Sequence, residues 1–142
     1  NSGESILEEM CEKEGITLAT NRLAYLAHWI TPKIEKRRYT TRFFIALAPS
    51  GQEGIHDGSE SVNSLWIKPE DALAKLQNGE MSMILPTIKN IEKLAGFSTS
   101  TEAFNHFKGL GNNAIPPILP KFIKREGEWV GFLPGEEGYE NV

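Results

Sequence analysis

The chain has 142 residues, with 15 lysines and arginines against 19 aspartates and glutamates and a formal net charge of −4. That length suits one domain over residues 1–142, with a modest core, and the acidic balance argues against a nucleic-acid partner. The lone cysteine, Cys11, excludes an intrachain disulfide and suits a reducing compartment, and no apolar run reaches membrane-spanning length. A cytoplasmic protein without a membrane partner is therefore expected.

In chain order, Ser5 to Gly15 reads as the first helix. Ser5 stands three residues before Glu8, the spacing of a capping box, and Gly15 suits a left-handed helix end. Ile6, Leu7, Met10 and Cys11 recur at helical spacing as an apolar stripe, while Glu8, Glu9, Glu12, Lys13 and Glu14 fill the other face. Residues three and four apart are helix neighbours, so Glu8, Glu9 and Glu12 can converge on a hard divalent cation. The same residues also describe a solvated acidic face with a Glu9–Lys13 pair.

Between Leu18 and Thr31, Leu23, Tyr25, Ala27 and Trp29 alternate with Ala24, Leu26, His28 and Ile30, which predicts a strand buried on both faces. Thr31-Pro32 ends it, and residues 33–38 form a basic turn. Tyr39 to Ala48 is the next strand, antiparallel to the first, with Phe43, Phe44, Ile45 and Leu47 expected in the core. Arg42 lies inside this apolar strand, where an unpaired guanidinium is costly, and it is the strongest functional candidate there.

Residues 49–59 read as a polar, glycine-rich loop holding His56 and Asp57, with Glu60 beside it. His56 has the chemistry of a general base but no visible partner, so it stays outside the expected catalytic set. Val62 to Ile67 reads as a short strand. Pro69, Glu70 and Asp71 open a helix that Asn78-Gly79 stops. A helical segment over 85–108 follows: one helix from Leu85 to Ala95 with Ile88, Ile91 and Leu94 inward, then another opened by a Thr99–Glu102 capping box. Residues 115–120 read as extended chain. Glu126-Gly127 is a good turn for a hairpin over 120–133.

Several of these stretches resemble one family. Glu9, Glu12, Gly15 and Ile16 are similar to the end of a Nudix box, which has a Glu six residues before a Gly and a Glu–Glu pair three and two before it. Glu8 stands where that box has Arg, and Lys13 where it has its last Glu, so two fixed charges are reversed. An ammonium at a ligand position cannot coordinate while protonated and competes with the metal for Glu9. The run Trp29-Ile30-Thr31-Pro32, followed by Arg37-Arg38-Tyr39-Thr40-Thr41-Arg42-Phe43-Phe44, resembles a Nudix branch that includes peroxisomal coenzyme A diphosphatases and related bacterial proteins. The stretch from Trp66 through Pro69 to Leu73 and the ending from Leu133 to Glu140 are similar to the same branch.

The resemblance implies an α/β (α+β) fold, a Nudix-like α/β/α sandwich with a mixed sheet. On that alignment the opening strands and the first half of the box would fall before Asn1. It implies a pyrophosphohydrolase that cleaves a nucleoside diphosphate linked to another moiety, with a small-molecule diphosphate such as coenzyme A as substrate. Glu9 and Glu12 would be catalytic and, with Glu60, would hold Mg2+ or Mn2+; Asp57 is second to Glu60. Arg37, Arg38 and Arg42 would bind substrate, since guanidinium groups pair bidentately with phosphate. Apart from the resemblance, the arginines equally suit surface ion pairs or strand-edge protection, and Asp57 and Glu60 are ordinary loop acids. The charge reversals point instead to a non-catalytic Nudix-fold binding or dimerisation module. A sheet lacking its opening strands leaves an edge exposed, from which a homodimer is expected.

Overall fold

A computed structural model describes residues 6–51, 54, 56, 58–59, 63–111 and 115–142. Its centre is β1 (Ala24–Ile30), which lies between β2 (Thr40–Ile45) and the short β3 (Pro117–Ile118). β2 runs antiparallel to β1 and β3 runs parallel to it, so the sheet is mixed. β1 is almost wholly apolar and carries no Gly or Pro, as suits the central strand of a sheet that helices cover on one face. Ala24, Tyr25, Leu26, Ala27 and Trp29 are buried as expected, but His28 and Ile30 are only half-buried, so the expected burial on both faces is corrected: the helices cover one face and leave the other partly open.

One irregularity was not foreseeable from the alternation. Tyr25 pairs with Phe44 and Ala27 with Phe43, so Leu26 is an extra residue with no partner on β2. Such a bulge shifts every later side chain to the opposite face. Tyr25, His28 and Ile30 therefore share one face with Thr40, Arg42 and Phe44. Ala24, Ala27 and Trp29 share the other with Thr41, Phe43 and Ile45.

The second face carries the core. Ala24, Leu26, Ala27 and Trp29 cluster with Phe107, and Phe43, Ile45, Leu94, Phe97 and Phe104 pack around them. The expectation that Phe44 and Leu47 also lie in the core is corrected: Phe44 is 50% exposed and Leu47 43%. Phe44 occupies an alternate position on β2 and so points away from the face that the helices cover.

Four α-helices form among the described residues: α1 (Leu7–Glu14), α2 (Pro69–Gln77), α3 (Leu85–Ala95) and α4 (Ser100–Leu110). The molecule is thus a mixed α+β fold with a small mixed sheet. α3 has the predicted bounds, with Pro86 in its first turn and Gly96 after its end. Its buried polar residue, Asn90, accepts a hydrogen bond on Oδ1 from Trp29 Nε1 at 3.1 Å, which joins α3 to the central strand. α4 begins as expected, with Thr99 Oγ1 accepting from the Glu102 amide at 3.1 Å. The reciprocal bond goes one residue further back, from the Ser98 amide to Glu102 Oε2 at 3.0 Å. Lys108 at the far end of α4 donates to the carbonyls of Asn21 (2.7 Å) and Leu23 (2.8 Å), which secures the approach to β1. α2 packs on α3 and buries Ala72.

β4 (Lys121–Arg125) and β5 (Glu128–Phe132) form the expected hairpin as a separate two-stranded sheet. Its turn needs two positive φ angles, and Glu126 (51°) and Gly127 (94°) supply them. Tyr139 ties the C-terminal stretch to this hairpin: its hydroxyl donates to the Leu119 carbonyl at 2.9 Å, and Lys121 lies 4.2 Å from its ring centre. The strand expected over 62–67 is not found. Residues 63–67 form no ladder, and Trp66 is 79% exposed; Val62 lies outside the described residues. α1 starts at Leu7 after Ile6, which makes no side-chain cap, and Ser5 is likewise not described. The helix buries none of its residues, so its predicted apolar stripe forms but is left exposed apart from the half-buried Cys11. No helix among the described residues is long and apolar enough to cross a membrane.

The Trp29–Asn90 bond gives a test of how the core is held. Asn90→Leu should cost about 1–3 kcal/mol, because it leaves the indole N–H buried without an acceptor. The double variant with Trp29→Phe should cost less than the sum of the two singles in urea unfolding.

Candidate anion-binding cleft

The bulge at Leu26 brings His28 onto the sheet face that carries Arg42, and the two are directly opposite in register. One step along the same face, Tyr25 and Phe44 stack with ring centres 5.3 Å apart and planes inclined by 27°. His28 Nε2 lies 2.6 Å from Thr40 Oγ1, which fixes the imidazole and leaves Nδ1 available. Pro116 and Pro117 border the same face, Pro117 standing beside His28 in the parallel ladder. Together these side chains line a cleft of about 440 Å³.

Arg42 is exposed, and among the described residues no carboxylate pairs with it. The burial cost expected for a guanidinium in this strand therefore does not arise: the residue sits on the solvent side of the alternation. A solvated, unneutralised guanidinium beside an imidazole and two stacked rings can attract an anion and offer a planar surface to it.

The other expected site residues are placed elsewhere. Arg38 Nε donates to the Thr31 carbonyl at 3.0 Å, and the Tyr39 amide donates to Thr31 Oγ1 at 3.0 Å, so Arg38 helps close the β1–β2 connection. Arg37 is exposed in that connection, and neither Arg37 nor Arg38 lines the cleft. Glu9 and Glu12 lie one turn apart on exposed α1, while Glu60 and Asp57 fall outside the described residues. Among the described residues no ion pair joins Glu9 to Lys13, and no three His, Cys, Asp or Glu side chains are gathered in a metal-holding group. His56 is exposed.

A larger cavity of about 560 Å³ runs between the end of β2 and the starts of α2 and α4, bordered by Leu47, Pro69, Phe97 and Phe104. None of the expected site residues among the described residues lines it. The resolved titration shifts also lie away from the cleft. The hydrogen bond between Lys75 and Glu80 (2.9 Å) holds the Glu80 carboxyl below its usual range and the Lys75 ammonium above, while burial lowers Lys93.

Sequence reasoning found Arg42 but not Tyr25, His28 and Phe44 as its companions. Strict alternation separates His28 from Tyr25, and only the bulge reunites them. No family model, curated protein or solved structure matches the chain.

Thr40→Val removes the hydroxyl that holds the His28 ring. The expected outcome is a changed 15N shift at His28 Nε2 in NMR spectra, with a stability loss of no more than about 1 kcal/mol for so exposed a bond.

Proposed function

We propose that the chain is a Nudix-like domain acting as a pyrophosphohydrolase on a nucleoside diphosphate linked to another moiety, with a metal site that departs from the family pattern. The observation that carries this reading is Arg42: it stands in the motif run that resembles the coenzyme A diphosphatase branch, and its guanidinium is exposed in a cleft with no carboxylate partner among the described residues. In that role Arg42 holds a phosphate oxygen pair, and Arg37 and Arg38 add positive charge along the adjoining connection.

Glu9 and Glu12 fit a divalent cation in donor chemistry and in number, because magnesium is commonly held by one or two carboxylates together with substrate phosphates. Glu60 is the third candidate. Bound there, Mg2+ or Mn2+ would supply an activated water and neutralise developing charge on the phosphoryl oxygens. Lys13 opposes this, since it stands four residues after Glu9 on the same helix and competes with a metal for that carboxylate.

That opposition, together with Glu8 in place of the family's Arg, favours a second reading: a non-catalytic module that binds an anionic ligand through the sheet face. In this reading the exposed Ile6, Leu7 and Met10 of α1 meet a second copy in a homodimer.

Calorimetric titration with magnesium and manganese, on the native chain and on Lys13→Glu, separates the two. Metal binding by the native chain at millimolar affinity, with release of phosphate-containing products from coenzyme A, is the outcome expected of the hydrolase. Binding by Lys13→Glu alone selects the non-catalytic module. Both readings require Arg42→Gln to weaken pyrophosphate binding by about tenfold or more, the loss expected for a charge-assisted pair; undiminished binding would overturn both.

A further inference from the structure

The cleft holds more than a phosphate site needs. Phe44 is a large apolar side chain left half exposed, on a strand whose other aromatic residue, Phe43, is drawn into the core. Its ring is nevertheless not loose. It lies against Tyr25, itself only 9% exposed, so one face is supported by a fixed partner. Phe44 and Arg42 are two residues apart on one strand, which places them on the same face with their Cα atoms about 7 Å apart.

We propose that Phe44, backed by Tyr25, is a stacking platform for a planar ring of a ligand whose anionic group is held by Arg42 on the same face of the strand. This rests on Arg42 being an anion site, but not on hydrolysis or on a metal. The stack with Tyr25 occupies the β1 side of Phe44, so a ligand ring lies on its other side, towards the outer edge of β2, while His28 stands opposite Arg42 on the neighbouring strand. A mononucleotide carries both groups, a planar ring and a phosphate. Inorganic pyrophosphate and a sugar phosphate satisfy the arginine but leave the platform bare.

The test is calorimetric titration of the full chain with adenosine monophosphate, ribose 5-phosphate and inorganic pyrophosphate, without added metal. Stacking on an aromatic side chain should make adenosine monophosphate bind roughly ten- to a hundredfold more tightly than ribose 5-phosphate. Phe44→Leu, which keeps apolar bulk but removes the ring, should abolish most of that ratio and leave ribose 5-phosphate unchanged; Phe44→Ala should do the same. Arg42→Gln should weaken all three ligands. A ratio near one in the native chain, or a ratio that survives both Phe44 variants, overturns the platform. If pyrophosphate still binds through Arg42 in that case, the anion site stands and only the ring selectivity is lost. If no ligand binds, the anion site and the platform fall together.

Discussion

β1 is the constraint on which the rest of the structure depends. It has to be paired along both edges and covered by α3 and α4, because almost every one of its side chains is apolar. Once Trp29 is inside, its indole N–H needs an acceptor, and Asn90 supplies it from α3. Lys108 then fixes the entry to the strand by capping carbonyls on the turn before it. Core, helix position and strand entry are therefore one set of interactions. The exposed face of the sheet is where this set leaves residues to spare.

The bulge at Leu26 connects the core to the candidate site. Without the extra residue, the register that puts Trp29 into the core would place Tyr25 with it. With it, Tyr25 is released to stack on Phe44, and His28 falls opposite Arg42. Leu26 itself stays in the core cluster. One inserted residue thus satisfies the apolar demand of the helix-covered face and also assembles aromatic and basic groups on the other. A bulge that re-aims side chains toward a cleft is a recurrent use of this irregularity.

What was legible in the sequence follows from how local each signal is. The bounds of α3 could be read because Pro86 and Gly96 mark them within a turn of each end, and the Thr99–Glu102 cap and the Glu126-Gly127 turn are equally local. The bulge was not legible, since it is a property of pairing between two strands rather than of either alone. The apolar run ending at Ile67 looks like a strand, but residues 63–67 find no partner to ladder with, and Leu65 and Trp66 remain outside. α1 shows the same limit from the other side. Its periodicity is correct, yet amphipathicity says only that a face wants cover, not that the fold provides it. Of the candidate site, Arg42 stands out in the sequence as a charge within an apolar strand, although its exposure means that it bears no burial cost.

The net charge of the chain would discourage an anion from approaching, so the cleft's character must be local. At physiological ionic strength, charges further off than about 8 Å are largely screened, and what an anion meets is the immediate neighbourhood. There, the sheet face offers Arg42 and His28 with no carboxylate among the described residues that line the cleft, while Glu8, Glu9, Glu12 and Glu14 belong to α1. The acidic helix and the basic sheet face are thus chemically separate surfaces of one small fold. A diphosphate bridged by a divalent cation is a ligand that would need both. An aromatic phosphate needs only the sheet face, which is why the cleft has a use whether or not Lys13 leaves room for a metal.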